Sequence, residues 1–256
     1  MPRLTSSALP PAGTSAEIDR HVRAGLHAGS SLYHLDSALL ERLAPDLIVT
    51  QELCEVCAVS YGIVDRAARR LQSDARIVSL EPSSLDDVFA NMLYLGTLTG
   101  CESGAQVSVD ALRSEVDEMR ASALPGMLPR TLVLEWTDPP MGAGHWTPGL
   151  VELAGGTPVL ANPGANSQRL EWDAIASADP DAVVVAPCGF DLHKTHEAIA
   201  ELMRIPQWNA LRARREGNVF AMDGNAYINR PGPRLVASAQ IMQAALERVR
   251  LRSSRA

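Results

Sequence analysis

Asp179-Pro180-Asp181-Ala182-Val183-Val184-Val185-Ala186 is the stretch on which the fold of this chain turns. A Pro-Asp turn hands the chain to a run that is apolar at every position. A half-solvated strand would alternate, so a continuously apolar one belongs in a parallel sheet covered by helices on both faces. The same device stands earlier, at Ala44-Pro45-Asp46-Leu47-Ile48-Val49-Thr50. Each copy is followed by a cysteine-bearing loop, a helical stretch and a second strand. Those second strands are Arg76-Ile77-Val78-Ser79-Leu80 and Asn218-Val219-Phe220-Ala221-Met222, ending on Glu81 and Asp223 respectively. Two copies of strand, loop, helix and strand predict an α/β protein of two similar lobes, each a parallel-type sheet flanked by helices.

Between the copies the sequence turns helical. Ser84 is placed to cap a helix whose first turn holds Asp86 and Asp87, favourable at the positive end of the helix dipole. Val88, Met92 and Leu95 recur at helical spacing, and Gly100 is a stop signal. Val109, Leu112, Val116 and Met119 then mark a second helix from Glu102 to Ala123, with charged residues on its other faces. This is the expected strut between the lobes, and it divides the chain into an N-terminal lobe (1–101), a backbone helix (102–123) and a C-terminal lobe (124–256). The C-terminal lobe opens with a strand, Thr131-Leu132-Val133-Leu134-Glu135-Trp136. A loop from Thr137 to Trp146 follows, then Thr147-Pro148 as N-cap and first residue of a helix to Ala154. The first lobe shows no counterpart of that strand. Its Pro/Ser-rich start leads to a helix capped by Thr14 or Ser15, with Ile18, Val22 and Leu26 on one face, so the lobe is expected to lack its N-terminal strand.

Composition narrows the function. Of the 256 residues, 46% are hydrophobic and 21% charged, as in ordinary folded proteins, and the net charge is −7. A negative chain with no basic run among aromatics is a poor nucleic-acid binder. Its basic cluster, Arg248 to Arg255, reads as a frayed terminus. No apolar run reaches the ~20 residues that span a bilayer, so direct membrane insertion is not expected. The stretch from Met1 to Thr14 lacks the apolar centre of a signal peptide, which points to the cytoplasm. Four cysteines in 256 residues are too few for a disulfide scaffold.

In parallel sheets, ligands sit beyond the carboxyl ends of the strands. The loops there are Gln51–Cys57, Glu81–Ser83, Thr137–Trp146, Pro187–Asp191 and Asp223–Pro233. Their candidate binding residues are Cys54, Glu55, Trp136, Asp138, His145, Trp146, Cys188, Phe190, Asp191, Asn225 and Tyr227. Cys54-x-x-Cys57 has the spacing of half a zinc site or a redox pair, but without a second pair, ordinary buried cysteines are the simpler reading. His145, between Gly144 and Trp146, is either a ligand contact, an axial metal donor, or a surface loop residue. His193 and His196 fit a solvated helix face. Trp136 reads as core or contact, whereas Trp146 and Tyr227 lie in loops, where aromatics often serve binding. Asp138 before Pro139-Pro140 is a rigid turn. Asp223-Gly224-Asn225 is either a plain turn or one that aims polar groups at a ligand. No nucleophile elbow, phosphate-binding glycine loop or His-Glu-x-x-His motif occurs, so an enzyme is not expected.

Taken together, several segments resemble the cobalamin-binding branch of the class III, helical-backbone periplasmic solute-binding proteins. They are Leu47 to Cys57, Leu134-Glu135-Trp136 with Asp138-Pro139-Pro140, Gly144-His145-Trp146, Pro187-Cys188-Gly189-Phe190-Asp191, Asp223 to Tyr227, and Arg230-Pro231-Gly232-Pro233-Arg234. The likeness runs from about Ser15 to Leu246. It implies two lobes joined by one rigid helix, a corrinoid ligand in the cleft between them, and delivery by a monomer to an ABC-type permease. The bound corrinoid would be cargo; no resident cofactor or metal is implied. A ferric-siderophore or haem protein on the same scaffold is the alternative, and a Cys/His metal-binding intracellular protein is an alternative of another class. The resemblance also implies a periplasmic or other extracytoplasmic place, should a further segment precede Met1.

Overall fold

A computed structural model describes residues 2–8, 13–27, 32–51, 75–122 and 126–253. The chain forms two compact units, Met1–Glu81 and Pro82–Ala256.

The first unit differs from expectation at its front. Thr5–Ser7 (β1) is a strand that precedes the first helix, and it pairs antiparallel with Tyr33–Leu35 (β2). All of β1 is exposed and none of it is apolar, so hydrophobic patterning carries no sign of it. Thr14 takes the cap of the helix Ser15–His27: its hydroxyl accepts from Glu17 N–H at 3.3 Å and Glu17 accepts from Thr14 N–H at 2.9 Å.

The two Pro-Asp runs build the same local structure, one in each unit. In the first, the helix Ser37–Leu43 ends on Ala44, whose φ of 39° is left-handed, and Pro45-Asp46 leads into β3 (Leu47–Thr50). In the second, the helix Trp172–Ala178 ends on Asp179 with φ 36°, and Pro180-Asp181 leads into β11 (Ala182–Val185). A residue before proline is excluded from the right-handed helical region, so the helix must stop there. The left-handed residue then closes it and returns the chain to the sheet. Both strands pair in parallel. β3 runs Leu47↔Arg76 to Thr50↔Ser79 against Arg76–Ser79 (β4), and among the described residues these two strands form a sheet separate from that of β1 and β2. β11 runs Val183↔Val219 to Val185↔Ala221 against Val219–Ala221 (β12). The predicted repeat of parallel strands is thus present in both units.

The sheet of the second unit joins these last two strands to Arg130–Thr137 (β5), Pro140–Gly142 (β6), Thr157–Pro158 (β8) and Gln168–Arg169 (β10). Its order is β10-β6-β5-β11-β12, with β8 also paired to β5. β11 lies between β5 and β12, parallel to both. Leu132, Leu134, Ile175, Val183, Val185, Leu202, Trp208 and Leu211 make one buried cluster around it. The helices Leu85–Thr99 and Glu102–Ala121 pack within this unit, which begins at Pro82. The physical reason is their shared core, in which Phe89, Val109 and Val116 meet Val236 of the C-terminal helix. Ser84 and Asp87 form the expected capping box, and Gly100 closes the first helix at φ 67°. The C-terminal helix runs Arg234–Ser253, so Arg248 to Arg252 are not frayed. Leu246 and Val249 are buried, and Arg252 donates to Glu216 O at 2.9 Å. No described helix is long and apolar enough to cross a membrane.

Candidate functional site

In the second unit, three loops converge beyond the carboxyl ends of β5, β11 and β12. β5 turns into β6 through Asp138-Pro139, joined by a cis peptide bond, with Thr137 opposite Pro140. This matches the turn read from the sequence. Asp138 is exposed there, and its carbonyl accepts the Trp136 indole N–H at 3.1 Å.

Trp136 is partly buried and meets the edge of Phe190, with ring centroids 5.2 Å apart and planes at 60°. Phe190 is 5% exposed, so it supports Trp136 from below. Lys194 Nζ lies 5.5 Å from the Phe190 ring. Asp191 caps the helix Leu192–Leu202 by accepting from Lys194 N–H at 2.8 Å. Cys188 is exposed, and its N–H donates to Glu135 O at 3.1 Å. The 223–230 loop joins through Asn225 N–H, which donates to Phe190 O at 3.0 Å. Gly224 is required there, because a Cβ would collide with Pro187 O. Asn225 is exposed and Tyr227 partly buried, while Arg230 Nη2 donates to Asn225 Oδ1 at 2.7 Å.

His145 occupies φ 48° and is held by its backbone: its N–H donates to Ala165 O at 2.7 Å and its carbonyl accepts from Gly164 N–H at 3.0 Å. His145 also belongs to the short parallel pair β7 (Gly144–His145) and β9 (Asn162–Pro163). Partial burial lowers the pKa of the imidazole, which favours its neutral form. Its ring stacks on Trp146 at 5.6 Å and 29°. Trp146 is 7% exposed and its indole N–H donates to Ile228 O at 2.8 Å, so it packs in the interior. Trp146 also takes the N-cap position of the helix Thr147–Leu153, one residue earlier than the Thr147-Pro148 signal predicts. Thr147 does not cap, because its hydroxyl donates to Glu135 Oε1 at 2.9 Å. A partly buried acid is costly without donors, and it claims the nearest hydroxyl.

That acid, Glu135, is absent from the candidate binding residues read from the sequence, although an acid within an otherwise apolar strand is a signal. It receives bonds from Thr147 Oγ1 and Ser167 Oγ, yet burial outweighs them and raises its pKa. Cys54, Glu55 and Cys57 lie outside the described residues. His193 Nε2 is 3.3 Å from Glu197 Oε1 with both side chains exposed, as on a solvated helix face. Among the described residues no group of three or more His, Cys, Asp or Glu is arranged to hold a metal ion.

A two-lobed α/β chain with aromatic loops at the carboxyl pole of its strands has the build of a solute-binding protein. The family described as periplasmic binding protein matches residues 40–226, and the chain belongs to that family. Its members bind solutes and are not enzymes. Solved structures of solute-binding proteins share the fold, three of them as follows. An ABC transporter substrate-binding protein from Listeria monocytogenes EGD-e superposes with a TM-score of 0.71 at 18% identity, over 83% of this chain and 80% of that one. The periplasmic heme-binding protein RhuT from Roseiflexus sp. RS-1 gives 0.69 at 19%, over 84% and 81%. The periplasmic vitamin B12 binding protein BtuF of Vibrio cholerae gives 0.65 at 18%, over 85% and 80%. No curated protein matches the chain.

Proposed function

We propose that this protein binds a corrinoid, a cobalamin-like macrocycle, and delivers it to an ABC-type permease. The observation that carries the reading is the Trp136–Phe190 pair, 5.2 Å apart, which props a partly exposed indole on a buried ring at the strand pole. A large flat ligand needs such a surface, with a few polar anchors around it. Cys188, Asn225, Asp138 and Tyr227 supply uncharged and singly charged anchors beside it. Trp146, Phe190 and Asp191 act through packing and capping. The neutral imidazole of His145 is the form that can donate a lone pair to cobalt. The similarity to a vitamin B12 binding protein supports the same reading.

Haem is the second reading, supported by the likeness to RhuT and by Lys194 near Phe190, a cation suited to a propionate. A ferric siderophore wants several basic groups, and Arg230 already serves Asn225. The intracellular metal-binding reading gains no support from the described residues. The test is titration of the purified protein with cyanocobalamin, aquocobalamin, haemin and a ferric hydroxamate, followed by absorbance and tryptophan fluorescence. Micromolar or tighter binding of either cobalamin over haemin is expected. A preference for haemin, or no cobalamin binding, sinks the proposal. A spectral change with aquocobalamin that vanishes in His145→Ala would assign the axial donor.

A further inference from the structure

Glu135 stands between the Pro187–Asp191 loop, which its backbone carbonyl holds, and Thr147 and Ser167, which its carboxyl holds. Its backbone carbonyl accepts Cys188 N–H at 3.1 Å, which fixes the Pro187–Asp191 loop. Its carboxyl accepts Thr147 Oγ1 at 2.9 Å, which fixes the end of the Thr137–Trp146 loop. The same carboxyl takes Ser167 Oγ, which holds the 165–167 segment whose Ala165 carbonyl accepts the His145 N–H. Gly144 and that segment are already in tight apposition: a Cβ on Gly144 would collide with both Ala165 O and Ser167 N. The next residue, Trp136, is the aromatic surface itself.

We propose that the Glu135 carboxyl is the positioning group of the binding site, which sets the backbone of His145 through Thr147 and the 165–167 segment without touching ligand. Hydrogen bonding does this, and not charge. A neutral carboxyl still accepts from Thr147 Oγ1 and can donate to Ser167 Oγ, since a hydroxyl rotates to either role. Glutamine offers the same acceptor and donor at the same reach, and alanine offers neither. The network therefore tolerates Glu135→Gln and collapses in Glu135→Ala. A residue needed only for core packing would show no such split.

The test has a readout independent of any ligand. In the apo protein, the His145 imidazole is followed by NMR on histidine-labelled protein, with His145→Gln giving the assignment. Wild type and Glu135→Gln are expected to titrate below the ordinary histidine value of ~6.5, and Glu135→Ala to move up towards it as the loop opens. Ser167→Ala and Thr147→Val each remove one donor and shift it part of the way, so they serve if Glu135→Ala does not fold. With cyanocobalamin as probe, Glu135→Ala weakens binding by about tenfold, the scale of one lost hydrogen bond, while Glu135→Gln stays near wild type. The binding arm rests on the corrinoid reading, whereas the titration arm does not. Failure of wild type to bind the probe would discard the ligand and leave Glu135 to be judged on His145. An unchanged His145 titration in folded Glu135→Ala or Ser167→Ala overturns the positioning role, as does a Glu135→Gln protein that behaves like Glu135→Ala.

Discussion

β3 and β11 begin from the same Pro-Asp signal and end in different surroundings. β11 is buried at every position, flanked by β5 and β12. β3 has one strand partner among the described residues, and its Val49 is 45% exposed. The apolar run is equally strong in both. It specifies a strand that gains by burial, but neighbouring elements decide how much burial it receives. The turn residues diverge in the same way. Asp181 is 7% exposed, accepts Arg130 N–H at 2.8 Å and pairs with Arg212. Asp46 is exposed and accepts Arg76 N–H at 2.8 Å through its backbone carbonyl.

The largest expected effect tests this contrast at the strand centres. Val184→Asp places an unpaired charge in the buried sheet and should cost about 4 kcal/mol or more, whereas Val49→Asp should cost about 1 or less. Comparable losses in urea melts followed by circular dichroism would break the comparison. Next come the turns. Asp181→Ala leaves the Arg130 amide without its acceptor and Arg212 with Asp179 as its remaining partner, and should cost about 2 kcal/mol, against a few tenths for Asp46→Ala. Similar midpoints for the two variants would show that the ion pair matters less than its geometry suggests.

Ser84→Ala should cost about 1 kcal/mol, because it removes a capping box at a helix start within the second unit. A thermal melt unchanged by it would mean that the Phe89–Val236 packing alone holds that helix.

The smallest effect is one of pH. Burial raises the Glu135 carboxyl above the ordinary range, so this contribution favours the folded state below the unfolded value and is lost as pH rises through the folded one. Glu135→Gln cannot ionise and should gain on wild type in melting temperature as pH rises above about 4, the ordinary carboxylate range. His145 carries the opposite sign: its lowered value makes acid costly below ~6.5, so His145→Gln should gain on wild type as pH falls. A wild-type-minus-variant difference flat with pH would remove the burial argument for either group.

Much of the architecture is legible in the sequence. The two apolar runs, the Ser84 cap, the Gly100 stop and the Val109–Val116–Met119 stripe are local signals with local causes, and each element forms where its pattern stands. β1 is not legible, since three exposed polar residues carry no pattern and only pairing with Tyr33–Leu35 makes them a strand. The core shared by the helix pair is not legible either, because it depends on Val236 reaching that pair from far along the chain.

For the site, the sequence by itself determined which loops stand at the strand carboxyl ends and that Trp136, His145, Cys188 and Asn225 sit on them. Tertiary structure alone decided their parts. It buried Trp146 on Ile228, set Phe190 beneath Trp136, made Asp191 a cap, and supplied Glu135 with donors from Thr147 and Ser167. The reason is physical. Periodicity and turn chemistry act between near neighbours, whereas desolvation of a polar group is settled by partners that lie about thirty or about eighty residues away.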